Sequence, residues 1–159
     1  MEVDCLKVAI LVGSETDLSH ARAAAEVLAQ FEVPCEVYVL SAHRSPTETI
    51  QFARDAERNG FSLVIAMAGK AAHLPGVVAA NTTLPVIGVP LSASLNGLDA
   101  LLSVVQMPTG VPVACMAIDG AKNAALFAVS ILALNNADLK QKLLSYRESL
   151  KKGSGKKDL

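Results

Sequence analysis

Tryptophan is absent from this chain, and phenylalanine and tyrosine together bring its aromatic share to only 4%. So little ring surface argues against stacking on the bases of a single strand. No sign of charge dominates either: 14 Lys and Arg oppose 15 Asp and Glu, for a formal net charge of −1. Without a basic stripe, the electrostatic footprint of a nucleic-acid binder is missing, and nucleic acid is not an expected partner. Long hydrophobic runs are missing too. The longest, 124–134, is broken by Ser130 and falls short of the ~18–20 residues of a membrane span. The first residues, "MEVDCLKVAI", lack a basic stretch followed by a longer apolar one, so they do not read as a signal peptide. Cysteine is scarce. Cys5, Cys35 and Cys115 are widely spaced, with no CxxC pair and no metal-ligand spacing. They read as small buried hydrophobes of a reducing compartment, which points to the cytosol and to no bound metal.

What is present is an apolar chain of 159 residues, 52% hydrophobic and 18% charged, enough for one domain with a full-sized core. Five short apolar runs recur at 7–12, 35–40, 62–68, 85–90 and 111–118. Most are too continuously apolar for one-sided strands and suit a parallel sheet covered on both faces. Between them, apolar residues recur at spacings of three and four. Leu18, Ala21, Ala25 and Leu28 predict a helix over 17–31; Ile50, Ala53 and Ala56 predict one over 47–59, with Pro46 in its first turn and Gly60 as its stop. Further helices are predicted over 71–80, 98–105 and 121–134. The alternation implies βαβ units in a three-layer α/β domain spanning 1–159.

A last helix is predicted over 138–151, with Leu139, Leu143, Tyr146 and Leu150 along one side. The segment before it has almost no polar face. Such a helix calls for burial on every side, and in a small chain another subunit is the expected cover. The tail 152–159 is charged and glycine-rich and is expected to fray.

In open α/β sheets, ligands bind beyond the carboxyl ends of the strands. That rule selects four loops: "GSETD" (13–17), "SAHRSP" (41–46), "AGKAAHLPG" (68–76) and "SASLNGLD" (92–99). In the first, Gly13 permits a tight turn, and the Ser14 and Thr16 hydroxyls with free amides offer an anion site. Asp17 could accept hydrogen bonds from sugar hydroxyls. Helix capping by Ser14 or Thr16 explains the same residues. The loop is neither a Walker loop nor GxGxxG, so a dinucleotide cofactor is not expected. In "SAHRSP", Arg44 suits a two-bond grip on phosphate, and His43 is the side-chain type that gives and takes a proton near neutrality. The third loop combines glycines, alanines and Pro75, a composition that lets backbone approach a ligand or act as a lid. His73 either touches the ligand or packs beneath the loop. His20, within the first helix, reads as a solvated surface residue.

Taken in order, "VGSETD", "SAHRSP", "AAHLPG", "LNGLDALLSVVQMPTGVPVA" and "KNAALFA" resemble the N5-carboxyaminoimidazole ribonucleotide mutase family of purine synthesis. Each motif is weak alone; the ordered set, covering nearly the whole chain, is specific. The resemblance implies a flavodoxin-like three-layer sandwich with a central parallel sheet, an octamer, and a small ribonucleotide substrate with no cofactor. It assigns Ser14 and Asp17 to the ribose and phosphate region, with Gly13 and Thr16 supplying the turn. Ser41 and Arg44 join the phosphate site, with Ala42 between them. His43 is the general acid/base. Ala68, Gly69 and Lys70 line the substrate, and His73 and Leu74 belong to a mobile cover.

A second branch of that family adds carbon dioxide directly to aminoimidazole ribonucleotide. Its members look like "SAHK" and lack "HLPG", so Arg44 and "AAHLPG" side with the mutases. This chain departs from the mutase pattern "AGAGGAAHLPG" at Met67 and Lys70, which replace glycines. If position 70 needs a positive φ, lysine costs on the order of 1 kcal/mol there. A cation at that place is similar to an arginine of the direct carboxylases; it either meets the migrating carboxylate or points to solvent. A non-catalytic nucleotide-binding module on the same fold is the alternative of another class.

Overall fold

The computed structural model describes residues 6–151. Cys5 and the 152–159 tail lie outside the described residues. The strands are β1 (Lys7–Val12), β2 (Cys35–Val39), β3 (Phe61–Gly69), β4 (Val86–Leu91) and β5 (Ala114–Cys115). The helices are α1 (Leu18–Gln30), α2 (Pro46–Asp55), α3 (Leu74–Ala79), α4 (Leu98–Val105), α5 (Ala121–Leu132) and α6 (Ala137–Lys151). All strand pairs are parallel, in the order β2-β1-β3-β4-β5. This is the flavodoxin-like order, and its reversal point lies between β1 and β3.

The apolar runs become strands because each serves two cores. Val8, Ile10 and Val12 of β1 face one layer with α1, α5 and α6; Ala9 and Leu11 face the other, with α2, α3 and α4. β3 does the same with Ile65 and Met67 on one side and Val64 and Ala66 on the other. Period-two alternation with apolar residues at both phases is what a doubly covered sheet requires.

The edges depart from the continuous-run reading. β2 is an outer strand, and Val37 and Val39 are 41% and 44% exposed. The strand predicted over 111–118 shortens to Ala114–Cys115, paired only with β4. Pro112, which lacks an N–H for the ladder, precedes it. The helix predicted over 47–59 ends at Asp55 and closes through turns to Gly60, whose φ is 82°. The helix predicted over 71–80 begins only at Leu74, with Pro75 in its first turn.

The same chain supplies much of the cover for the apolar late segment. α5 buries Ala121, Ala124, Ala125, Ala128, Val129 and Leu132, and α6 docks through buried Leu139 and an edge-on contact of Tyr146 with Phe31, centroids 5.5 Å apart. Phe127, Leu144 and Leu150 remain exposed on this side. A second exposed row, Leu95, Leu98, Leu102 and Val105, runs along α4 and the turn before it.

Gly88 in β4 lets α4 close over the sheet. A Cβ there would lie 2.5 Å from Val104 Cγ1, 2.8 Å from Val113 Cγ1 and 3.2 Å from Pro75 Cβ. Gly88→Ala is expected to destabilise the fold by about 1–3 kcal/mol, the usual cost of overpacking. A urea midpoint equal to that of the unaltered protein would refute this packing argument.

Candidate functional site

The loops after β1, β2 and β3 converge on one cavity of about 490 Å³ at the carboxyl ends of the strands. The local chemistry explains why. After β1, Ser14 adopts extended backbone and caps a 3₁₀ turn, Glu15–Asp17. The Thr16 amide and hydroxyl donate to Ser14 Oγ at 3.4 and 3.1 Å. Capping and lining the cavity are therefore not alternatives here: Ser14 does both, and Gly13, Thr16 and Asp17 line the cavity beside it.

After β2, residues 41–45 fold into a knot. Ser45 N–H and Oγ donate to Ser41 O at 2.9 and 3.2 Å, while Ser41 N–H donates back to Ser45 Oγ at 3.0 Å. Ser41 Oγ in turn accepts from the Arg44 amide at 3.1 Å and from Arg44 Nε at 3.4 Å. Arg44 Nη2 reaches across to Gly13 O at 2.7 Å. The guanidinium is thus held between two strand ends with other donors still free for an anion.

After β3, Gly69 ends the strand and Lys70 turns the chain with φ 55°. The glycine-type backbone suspected from the sequence is real, and a lysine adopts it at about 1–2 kcal/mol. Lys70 is exposed, lines the cavity, and has no ion pair or side-chain hydrogen bond with any described residue. Three residues on, the exposed ring of His73 meets that of His43. His43 Nε2 and His73 Nδ1 are 2.7 Å apart, with ring centroids 4.8 Å apart and nearly perpendicular planes. One ring's N–H donates to the other's bare nitrogen. Leu74 lines the cavity but is only 2% exposed and packs with the α2–α4 layer, rooting this loop in the core.

Every residue singled out from the sequence lines this one cavity: those of the first turn, Ser41, Ala42, His43, Arg44, Ala68, Gly69, Lys70, His73 and Leu74. Ala71 and Ala93 line it as well. Their methyls carry no chemical signal, and the resemblance that assigned Ala42 and Ala68 did not extend to them. Of the fourth loop only Ala93 takes part. The direct bond between His43 and His73 was also missed, because two rings thirty positions apart announce no contact in one dimension.

Outside the cavity, His20 is half-buried rather than fully solvated, with Nε2 4.0 Å from Asp119 Oδ1. Burial pushes the Asp119 carboxyl up, but the Ser92 hydroxyl and amide, at 2.6 and 2.9 Å, and His20 outweigh it and hold it below the usual aspartate value. Burial raises the thiol pKa of both Cys35 and Cys115, which leaves them poor nucleophiles. Among the described residues no cluster of three or more His, Cys, Asp or Glu could hold a metal ion, and no helix is long and apolar enough to cross a membrane.

The chain as a whole is similar to known proteins. A relative from Pyrococcus abyssi, named N5-carboxyaminoimidazole ribonucleotide mutase, is 54% identical over 96% of this chain and 88% of its own. One of the same name from Saccharolobus solfataricus is 53% identical over 91% and 92%. The crystal structure of Treponema denticola PurE superposes with a TM-score of 0.84 at 30% identity, covering 92% of each chain. The profile of the AIR carboxylase family matches residues 7–153. With the family profile matching residues 7–153 and relatives more than 50% identical over nearly the full length, this chain belongs to the AIR carboxylase family.

Proposed function

We propose that this chain is an N5-carboxyaminoimidazole ribonucleotide mutase, an isomerase of de novo purine synthesis acting in the cytosol. The observation that carries the reading is the sharing of one cavity by the Ser14 turn, Arg44 and the His43 ring. A mononucleotide needs those three in one place: an anion grip, polar groups for a ribose, and a proton carrier by its base.

The reaction moves a carboxyl group from an exocyclic nitrogen to a ring carbon of the same molecule. As the nitrogen–carbon bond breaks, protonated His43 gives its proton to the nitrogen and carbon dioxide is released. The ring carbon attacks the gas, a carbon–carbon bond forms, and neutral His43 takes the proton that this carbon carried. Atoms and charge balance, and the imidazole returns to its first state. His73, hydrogen-bonded to His43 before the nucleotide enters, sets that ring's resting orientation, and its loop closes the cavity over the gas. Arg44, Ser41 and the Ser14 turn hold the phosphate throughout, with Asp17 on the ribose. Keeping both fragments together is the main source of acceleration.

The family resemblance implies an octamer. The exposed apolar row along α4 and the exposed side chains of α5 and α6 support burial between copies.

Direct carboxylation of aminoimidazole ribonucleotide is the second reading, favoured by one observation, the Lys70 cation on the cavity wall. Offering each substrate separately tells them apart. We expect turnover of the N-carboxylated nucleotide without added bicarbonate. Turnover only of aminoimidazole ribonucleotide with bicarbonate would replace the mutase by the carboxylase, and nucleotide binding with neither reaction would leave a non-catalytic module.

A further inference from the structure

We propose that Lys70 is the residue that binds the substrate's carboxylate, and so sets this protein's preference for carboxylated over decarboxylated nucleotide; the inference rests on the mutase reading above. Three observations carry it. First, Lys70 lines the cavity while its ammonium has no partner among the described residues. Asp17, the acidic side chain lining the same cavity, is approached instead by the Thr16 hydroxyl, at 3.3 Å. An unpaired cation in a ligand cavity is a binding group for an anion. Second, the lysine sits in left-handed backbone, φ 55°, that favours glycine. Nothing in the turn itself calls for a long cationic side chain.

Third, the topology separates the two cations of the cavity. Arg44 follows β2 and Lys70 follows β3, with β1 between them. Two strand spacings are about 10 Å, the order of the distance from a 5′-phosphate to a carboxyl group on the far edge of the base. Arg44, Ser41 and the Ser14 turn gather their donors at the β1–β2 end. Lys70 lies at the other end, three residues before His73, whose ring touches His43. With Arg44 committed to the phosphate end, Lys70, on the loop that carries His73, is the cation left for the other charged group of the nucleotide, its carboxylate.

The test is calorimetric binding of two ligands, the 4-carboxylated nucleotide and aminoimidazole ribonucleotide, to the unaltered protein and to Lys70→Met. Methionine keeps the length without the charge, and circular dichroism checks that the variant is folded. Affinity for the carboxylated nucleotide should fall about tenfold, as for loss of one charged hydrogen bond, with that for the decarboxylated one changed less than about twofold. Lys70→Arg should retain the discrimination. An equal loss for both ligands would put the ammonium on the phosphate and overturn the assignment. Loss for neither would put it in solvent and overturn the assignment as well. If the unaltered protein binds neither nucleotide, the functional reading itself fails and this inference with it.

Discussion

With His43 replaced by asparagine, turnover falls by about 10²–10⁴-fold, the range for loss of a positioned proton carrier, while the nucleotide still binds. Asparagine keeps a polar group of similar reach at the end of β2, but it cannot carry a proton between nitrogen and carbon. The loops proposed to grip the phosphate are fixed by other bonds. Arg44 is tied to Ser41 and Gly13, and the Ser41–Ser45 knot does not pass through the imidazole. Absorbance of the product gives kcat and calorimetry gives Kd. Near-normal kcat would remove His43 from the chemistry, and loss of binding alone would make it a contact residue.

Arg44→Met produces the second large change. KM rises on the order of 10²-fold, the loss of charge-assisted hydrogen bonds to an anion, and kcat changes little. In the proposed reaction the phosphate takes no part, so a grip on it would be the same in ground and transition states and appear in KM. Arg44→Lys recovers only part of the affinity, since an ammonium cannot bridge Gly13 O and Ser41 while offering a planar pair of donors to phosphate. Initial rates across substrate concentration decide. A fall confined to kcat, with KM unmoved, would take Arg44 off the phosphate.

The sequence made the sheet legible where burial is two-sided. β1 reads 7–12 in the sequence and in the structure, because Val, Ala, Ile and Leu fill both phases of the strand. Legibility failed at the edges. Whether Val37 faces protein or solvent depends on how much of the outer strand is covered, which no local pattern encodes. The loops at the strand tips were legible for a different reason. Arg44, His43 and His73 are residue types that a simple connection does not need, and topology gathers them where β2 and β3 end. Ala93 and the meeting of His43 with His73 were beyond reach. They depend on a through-space distance, and alanine bears no mark of its neighbours.

The hydrogen bond between the two imidazoles ties the loop after β2 to the loop after β3, so the pair works as a clasp. A molecule that parts the rings has to supply each nitrogen with a new companion. One that supplies neither forfeits about 0.5–1.5 kcal/mol, or roughly two- to twelvefold in affinity. Plain phosphates and sugars that never reach the clasp leave it shut. A heterocycle bearing its own N–H and carboxyl oxygens can open it without loss, which makes this small contact a filter on what stays inside.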